Sequence, residues 1–245
     1  LDKSAEIDFK LVVTGMHLLN EYGDTYKEFI NDGFKINEYI RSKNISPSKN
    51  IHLKTMSDQL YNAGECLDKI NPDIVIILGD RYDILSIVIA CHMKNIVVAH
   101  FHGGEVTSGA IDDAIRHSIT KFSDIHFVSN DDFKQRVIQL GENPKYVYNI
   151  GSLGIHAIKS TENINKATIM KKYKINGDYI LVSLHPETIN DQKNLIFQFG
   201  NLLKALDQFK EIKCIFTKPN VDIFSDLICD MIDKYVKKNN NRCVS

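Results

Sequence analysis

Two hydrophobic rhythms alternate along this chain. Short runs rich in apolar residues recur at 11–13, 74–78, 96–101, 125–129 and 147–151. Between them, apolar residues return every three or four positions, as Met56, Leu60, Ala63, Leu67 and Ile70 do. The first rhythm predicts strands and the second amphipathic helices. Helices are accordingly expected near 24–32, 56–70, 84–93, 111–122 and 131–140, the last stopped by Gly141. The run at 74–78 (IVIIL) lacks polar alternation, which is the pattern of a parallel strand covered on both faces. Residues 35–50 follow neither rhythm, contain Pro47, and read as irregular.

Strands and helices alternating at this spacing specify a doubly wound α/β domain. Residues 155–178 are polar and lysine-rich and predict a domain junction. The pattern then restarts with strands at 179–184 and 213–217 and helices near 190–209 and 222–236. Two strands are too few for a complete domain. The expected division is an N-terminal Rossmann-like domain, 1–158, and a partial second one, 159–245. With Leu1 at its start and NNNRCVS at its end, the sequence reads as part of a longer protein.

Composition narrows the function classes. The net charge of −1 argues against a nucleic-acid-coating or membrane-surface protein, so neither partner is expected. The five cysteines are odd in number and show no CxxC spacing, which fits buried thiols in a reducing compartment. No apolar run reaches the length of a membrane span, and a cytoplasmic location is expected.

The candidate chemistry gathers where strands end. Ligands of open parallel sheets bind at the carboxyl ends of the strands, and there this chain places His17, Asp80, Arg81, residues 100–105, His185, Glu187 and Asn220. The densest stretch, 100–117, holds His100, His102, Glu105, Asp112, Asp113, Arg116 and His117 around the Gly103-Gly104 pair. Arg81 has the planar fork that suits a diphosphate, although a strand-end salt bridge with Asp80 is the plainer reading. Asp112 and Asp113 open a helix, where the macrodipole favours carboxylates whatever the function. With Ile111, Ile115, Ile119 and Phe122 as the buried stripe, Asp112–Arg116 and Asp113–His117 become i,i+4 pairs beside it. Such held carboxylates are candidates for acid–base work. The glycine pair would let backbone N–H groups approach a ligand. Neither GxGxxG nor GxxxxGK[ST] is present. The residues alone leave two classes open: a metal-free lyase or transferase on a phosphorylated ligand, or a metallohydrolase using Asp80, His100, His102 and Glu105.

Taken in order, TGMH at 14–17, LGDRY at 78–82, HFHGGE at 100–105, IDDAIRHSITK at 111–121, NIGSL at 149–153 and HPE at 185–187 resemble the hydrolysing UDP-N-acetylglucosamine 2-epimerases of sialic and legionaminic acid synthesis. The resemblance covers nearly all of residues 8–222. It implies a GT-B-like α/β architecture, two Rossmann-like domains with the active site in the cleft between them. It also implies a chain truncated at both ends relative to the family. A first strand with a basic, glycine-bearing loop would precede Leu1, and a serine-rich diphosphate loop would follow Ser245.

The implied reaction eliminates UDP across C1 and C2 of UDP-N-acetylglucosamine to give 2-acetamidoglucal, which water converts to N-acetylmannosamine. No cofactor and no metal are expected. By position, Asp80, His102, Glu105, Asp112, Asp113 and His185 are the expected catalytic residues, and His17, Arg81, Arg116, Glu187 and Asn220 the expected substrate or UDP contacts. Many relatives carry Glu where this chain has His102, so the proton transfer falls to either His102 or Glu105. The alternative substrate is UDP-N,N′-diacetylbacillosamine, which differs at C4 and C6, away from the reacting carbons. A metal-dependent hydrolase or a non-catalytic UDP-sugar binder are the further alternatives. A homodimer or homotetramer is expected from the family's habit.

Overall fold

The structure, a computed structural model, describes residues 4–20, 23–42, 51–185, 192–219, 224–240 and 243–244. It divides into two compact units, Leu1–Ser108 with Asp112–Lys159, and Gly109–Ile111 with Ser160–Ser245.

The first unit is built on parallel strands. β1 (Leu11–Thr14) pairs with β2 (Ile36–Ile40), Leu11 opposite Ile36 and Thr14 opposite Ile40. Strand β2 lies in the segment whose sequence reads as irregular. Only Ile40 of β2 is buried, so its strand character comes from pairing with β1 and not from an apolar pattern of its own. A second sheet runs β3 (Ile74–Leu78), β4 (Val97–Phe101), β5 (Ile125–Val128) and β6 (Val147–Asn149), all parallel. The helices of this unit are α1 (Tyr26–Asn31), α2 (Ile51–Ile70), α3 (Tyr82–Met93), α4 (Asp112–Lys121), α5 (Asp131–Gln139) and α6 (Leu153–Ser160). α2 begins earlier than its apolar spacing predicts.

One core joins both sheets of this unit. Ile40, Ala63, Leu67, Ile77, Ile87, Val88, Val98 and Ile119 are buried together, with Val12, Ile115 and Phe122 packed against them. Ile111, expected in that stripe, is 42% exposed instead, because it precedes the first turn of α4. Coverage on both faces does not hold for β3 among the described residues. Ile77 is buried, while Ile74, Ile76 and Leu78 on the opposite face are half-exposed. α5 is fixed by sequence signals: the Asn130 side chain accepts from Phe133 N at 2.9 Å, Asp131 and Asp132 fill the first turn, and Gly141 follows with φ +95°.

In the second unit, α7 (Lys166–Lys172) precedes β7 (Tyr179–Val182), α8 (Gln192–Leu206), β8 (Lys213–Phe216), α9 (Ser225–Lys238) and β9 (Cys243–Val244). The sheet has three parallel strands, β7-β8-β9, and not two. β9 is two residues long and pairs Cys243 with Cys214, a contact no local pattern announces. Val182, Phe199, Cys214, Phe216, Ile228 and Ile232 form the core. The polar stretch 155–178 therefore carries α6, α7 and the buried Ile175. All five cysteines are free thiols. No described helix is long and apolar enough to cross a membrane.

Candidate active site

The site grows from the ends of β3, β4 and β5. After β4 the chain turns at His102, which adopts φ +66°, a left-handed conformation uncommon outside glycine. His102 N is held by Phe127 O at 2.8 Å. This turn lets the loop double back, and Glu105 meets the histidine: His102 Nδ1 lies 2.7 Å from Glu105 Oε1. The same carboxylate oxygen accepts from Ser129 Oγ at 2.9 Å, from just beyond β5. The sequence leaves His102 and Glu105 as alternatives, whereas the structure joins them as one pair.

The glycines between them are packed tightly. A Cβ on Gly104 would stand 2.5 Å from Phe133 O on α5, and its φ is +78°. A Cβ on Gly103 would stand 3.0 Å from Thr120 Oγ1 and 3.2 Å from His100 Nδ1. Close approach of the loop to α4, α5 and β4 thus explains this pair without a ligand.

Arg116 organises the loop from below. It is 4% exposed, and its guanidinium donates to Asp80, to Thr107 Oγ1 at 2.8 Å, to Glu105 O at 2.9 Å and to Asp113 Oδ1 at 3.3 Å. Its ion pair within α4 is thus with Asp113 at i,i+3. Thr107 N donates to Asp113 Oδ1 at 2.8 Å, and His117 Nε2 stands 3.7 Å from Asp113 Oδ2. A buried guanidinium is tolerable only with such a full set of acceptors. Asp112 occupies the first turn of α4 beside this network.

His100 is fully buried. Its Nε2 lies 2.9 Å from Gly79 O, where it must donate, and Nδ1 faces Thr120 Oγ1 at 3.3 Å. Burial drives its pKa down to about 4, so the ring is neutral and structural. Its neighbour in register on β5, His126, is also pushed down by burial, against the opposing pull of Glu142. With the His100 Nε2 engaged by a carbonyl and Asp80 by Arg116, the ligand set of the metallohydrolase reading does not form. Among the described residues no group of three or more His, Cys, Asp or Glu converges as metal ligands.

Elsewhere in this unit, His17 follows β1 and is exposed, with Nδ1 2.7 Å from Thr25 Oγ1. Arg81 caps α3 with extended backbone. Its guanidinium carbon sits 5.7 Å from the Tyr82 ring centroid, and Nε lies 3.8 Å from the buried Asp83 carboxylate. His185, exposed, follows β7 in the second unit. Glu187 and Asn220 lie outside the described residues. Ser129 is the site residue that sequence reasoning missed. Its signal was available, since it ends the apolar run 125–128 just as Asp80 follows 74–78.

The sequence pattern described as UDP-N-acetylglucosamine 2-epimerase matches residues 1–244. The chain belongs to this epimerase family. A GDP/UDP-N,N′-diacetylbacillosamine 2-epimerase (hydrolyzing) of Campylobacter jejuni is 39% identical over 99% of the chain and 63% of its own length. The polysialic acid biosynthesis protein P7 of Escherichia coli is 40% identical over 97% of the chain and 61% of its own length. A UDP-N,N′-diacetylbacillosamine 2-epimerase (hydrolyzing) of Legionella pneumophila is 32% identical over 96% and 62%. The chain thus spans less than two thirds of the length of these curated relatives. Its fold is that of the solved epimerases: a Staphylococcus aureus MnaA–UDP structure superposes with TM-score 0.73 at 17% identity over 99% of this chain and 62% of the other. The Neisseria meningitidis UDP-GlcNAc 2-epimerase bound to UDP-GlcNAc gives 0.71 at 16% over 90% and 60%. The GT-B-like α/β reading of the sequence is thereby shown.

Proposed function

We propose that the protein is a hydrolysing 2-epimerase that releases UDP from a UDP-2-acetamido sugar, with UDP-N,N′-diacetylbacillosamine preferred to UDP-N-acetylglucosamine. The observation that carries this reading is the joined set Asp80, Arg116, Asp113, Glu105 and His102 at the strand ends, in a chain 39% identical to a relative named for that reaction. Two of the three relatives above are named for the diacetylbacillosamine sugar, which moves it ahead of the sequence's first reading.

The chemistry needs a base for the C2 proton, charge compensation for the departing UDP, and acid–base groups for hydration of the glycal. The C2–H electrons become the C1=C2 bond as the C1–O pair leaves with UDP. Water then returns a hydroxyl to C1 and a proton to C2. The carboxylates and histidines of this site supply the residue types that general acid–base chemistry uses. Asp112 and Asp113 are assigned to the reacting sugar. Arg81 and Asn220 are assigned to the UDP, and His185 to the acid–base chemistry. Arg116, engaged by four acceptors, serves by holding Asp80 and Asp113 and not by binding substrate itself.

The test incubates the full-length protein with each UDP-sugar in EDTA and follows UDP and the free sugar. UDP release that is faster with the diacetylbacillosamine nucleotide is expected. Faster turnover of UDP-N-acetylglucosamine would return the preference to that sugar. Activity lost in EDTA and restored by a divalent metal would sink the epimerase reading, and binding without UDP release would favour a non-catalytic binder.

A further inference from the structure

We propose that Ser129, Glu105 and His102 form a single relay in which His102 Nε2 takes the C2 proton, Glu105 orients the imidazole through Nδ1, and Ser129 positions Glu105. The proposal deepens the epimerase reading and rests on it. It assigns Ser129 and Glu105 as positioning residues.

The geometry sets the direction of each bond. An ionised carboxylate can only accept, so His102 Nδ1–H donates to Glu105 Oε1 across 2.7 Å. The hydroxyl of Ser129 donates to that same oxygen at 2.9 Å. The neutral ring is therefore held as the Nδ1–H tautomer, and its lone pair is on Nε2. Among the described residues none bonds Nε2, and the His102 side chain keeps 22% of its surface exposed. Taking a proton converts Nε2 into Nε2–H while the Nδ1–H···Glu105 bond persists and strengthens, because the imidazolium then faces a carboxylate. One ring atom can thus remove a proton in the elimination and release it afterwards.

The support of this pair is unusual in extent. His102 holds a left-handed φ, its amide is fixed to Phe127 O, and the flanking Gly104 carbonyl accepts from Arg136 Nη1 at 2.5 Å. The Glu105 carbonyl accepts from Arg116. Two buried or half-buried arginines thus clamp the loop on either side of the carboxylate. Strain of this kind persists only where the surroundings over-determine it. Ser129, on a different strand end, fixes the remaining freedom of the Glu105 side chain, which loop hydrogen bonds cannot reach.

The experiment uses the full-length protein in two arms. In the first, 15N-labelled wild type is examined by imidazole NMR without substrate. His102 is expected as the Nδ1–H tautomer at high pH, and an Nε2–H tautomer would overturn the relay even in an active enzyme. In Glu105→Ala the Nδ1–H preference should be lost and the Nε2–H tautomer should appear, because no carboxylate then accepts from Nδ1. Ser129→Ala should leave a mixture of the two tautomers, and Ser129→Thr should restore the single one. An unmoved tautomer in both Glu105→Ala and Ser129→Ala would reject the coupling.

In the second arm UDP release is measured. His102→Gln should lower kcat about 10²-fold or more with KM within about threefold, the scale of a lost acid–base group. Ser129→Ala should lower kcat about three- to tenfold with KM within about threefold, and Ser129→Thr should recover most of the loss. A His102→Gln enzyme that keeps kcat within threefold would overturn the proton transfer. Wild type that releases no UDP from either sugar fails the epimerase reading itself, a result separable from the tautomer measured in the first arm.

Discussion

Arg116, in the middle of α4, donates to the carboxylate of Asp80 beyond the end of β3 and so ties the helix to the sheet at the candidate site. The two partners are not equivalent. The arginine side chain is 5% exposed and has three further acceptors, whereas Asp80 is 29% exposed. Arg116→Met should therefore cost about 3–5 kcal/mol, the scale for leaving one side of a buried ion network uncompensated. Asp80→Asn keeps the other three acceptors in place and should cost less, about 1–2 kcal/mol. Urea unfolding of both variants tests the ranking, and equal losses would show that Arg116 is no more than a surface partner.

Gly104→Ala and Gly151→Ala form a matched pair. Both glycines have φ near +78°, at +78° and +77°. Around Gly151 nothing lies within 4 Å of an added Cβ, while at Gly104 the Phe133 carbonyl stands 2.5 Å away. Gly151→Ala should show the conformational term alone, about 1–2 kcal/mol. Gly104→Ala should lose about 1–3 kcal/mol more, because the loop must move off α5. Thermal unfolding reads both, and similar Tm shifts would argue against the close packing of the Gly103-Gly104 turn.

These two relationships differ in how far the chain itself revealed them. The strands β3 to β6 and the helices between them were legible, because their apolar residues recur at strand and helix spacing and local stop signals such as Asn130 and Gly141 separate them. β2 and β9 were not, since each is strand only through pairing with a distant segment, Ile36 with Leu11 and Cys243 with Cys214. At the site, residue types at strand ends pointed to the right stretch but not to the partnerships. The Gly103-Gly104 pair suggested a ligand and serves packing. The contact of His102 with Glu105 depends on a left-handed backbone at His102, a conformation that sequence spacing does not encode. Ser129 reaches the Glu105 carboxylate that His102 also contacts from 24 residues further along the chain, which the parallel register of β4 and β5 brings about.

His100 gives the fold a pH dependence with a defined sign. Its folded pKa is about 4 against the ordinary 6.5. Between those values the unfolded chain binds a proton that the folded chain does not, so stability falls as pH drops through this window and is fully present above it. The shift corresponds to about 3 kcal/mol at full extent, and His126, also lowered by burial, adds in the same direction. Denaturant unfolding between pH 7.5 and 5, where carboxylates remain ionised, should show this decline. NMR should find the His100 ring neutral throughout that range, and a ring titrating near 6.5 would contradict its burial.

Arg81 stands at the N-terminus of α3 with its fork close to Asp83 and against the Tyr82 ring. If it faces the diphosphate, Arg81→Ala should mainly weaken competition by UDP, by about tenfold or more, the scale of one charge-assisted hydrogen bond. Arg81→Lys should recover part of that affinity, since the ammonium retains charge without the planar fork. UDP inhibition of turnover measures both, and an unchanged inhibition constant in Arg81→Ala would confine the arginine to the strand-end turn.

Asp112 separates the chemical reading of α4 from the plain one. Its place in the first turn is what the helix dipole favours in any protein, and a capping role would make Asn a mild substitute, within about 1 kcal/mol of stability. An acid–base role makes the same change severe, because the amide neither gives up nor takes on a proton near neutral pH. Asp112→Asn should therefore cut kcat for UDP release about 10²-fold or more while the unfolding midpoint moves little. Near-normal kcat in a folded variant would return Asp112 to helix capping and leave Asp113, fixed by Arg116 and Thr107 N, as the carboxylate of α4 to examine.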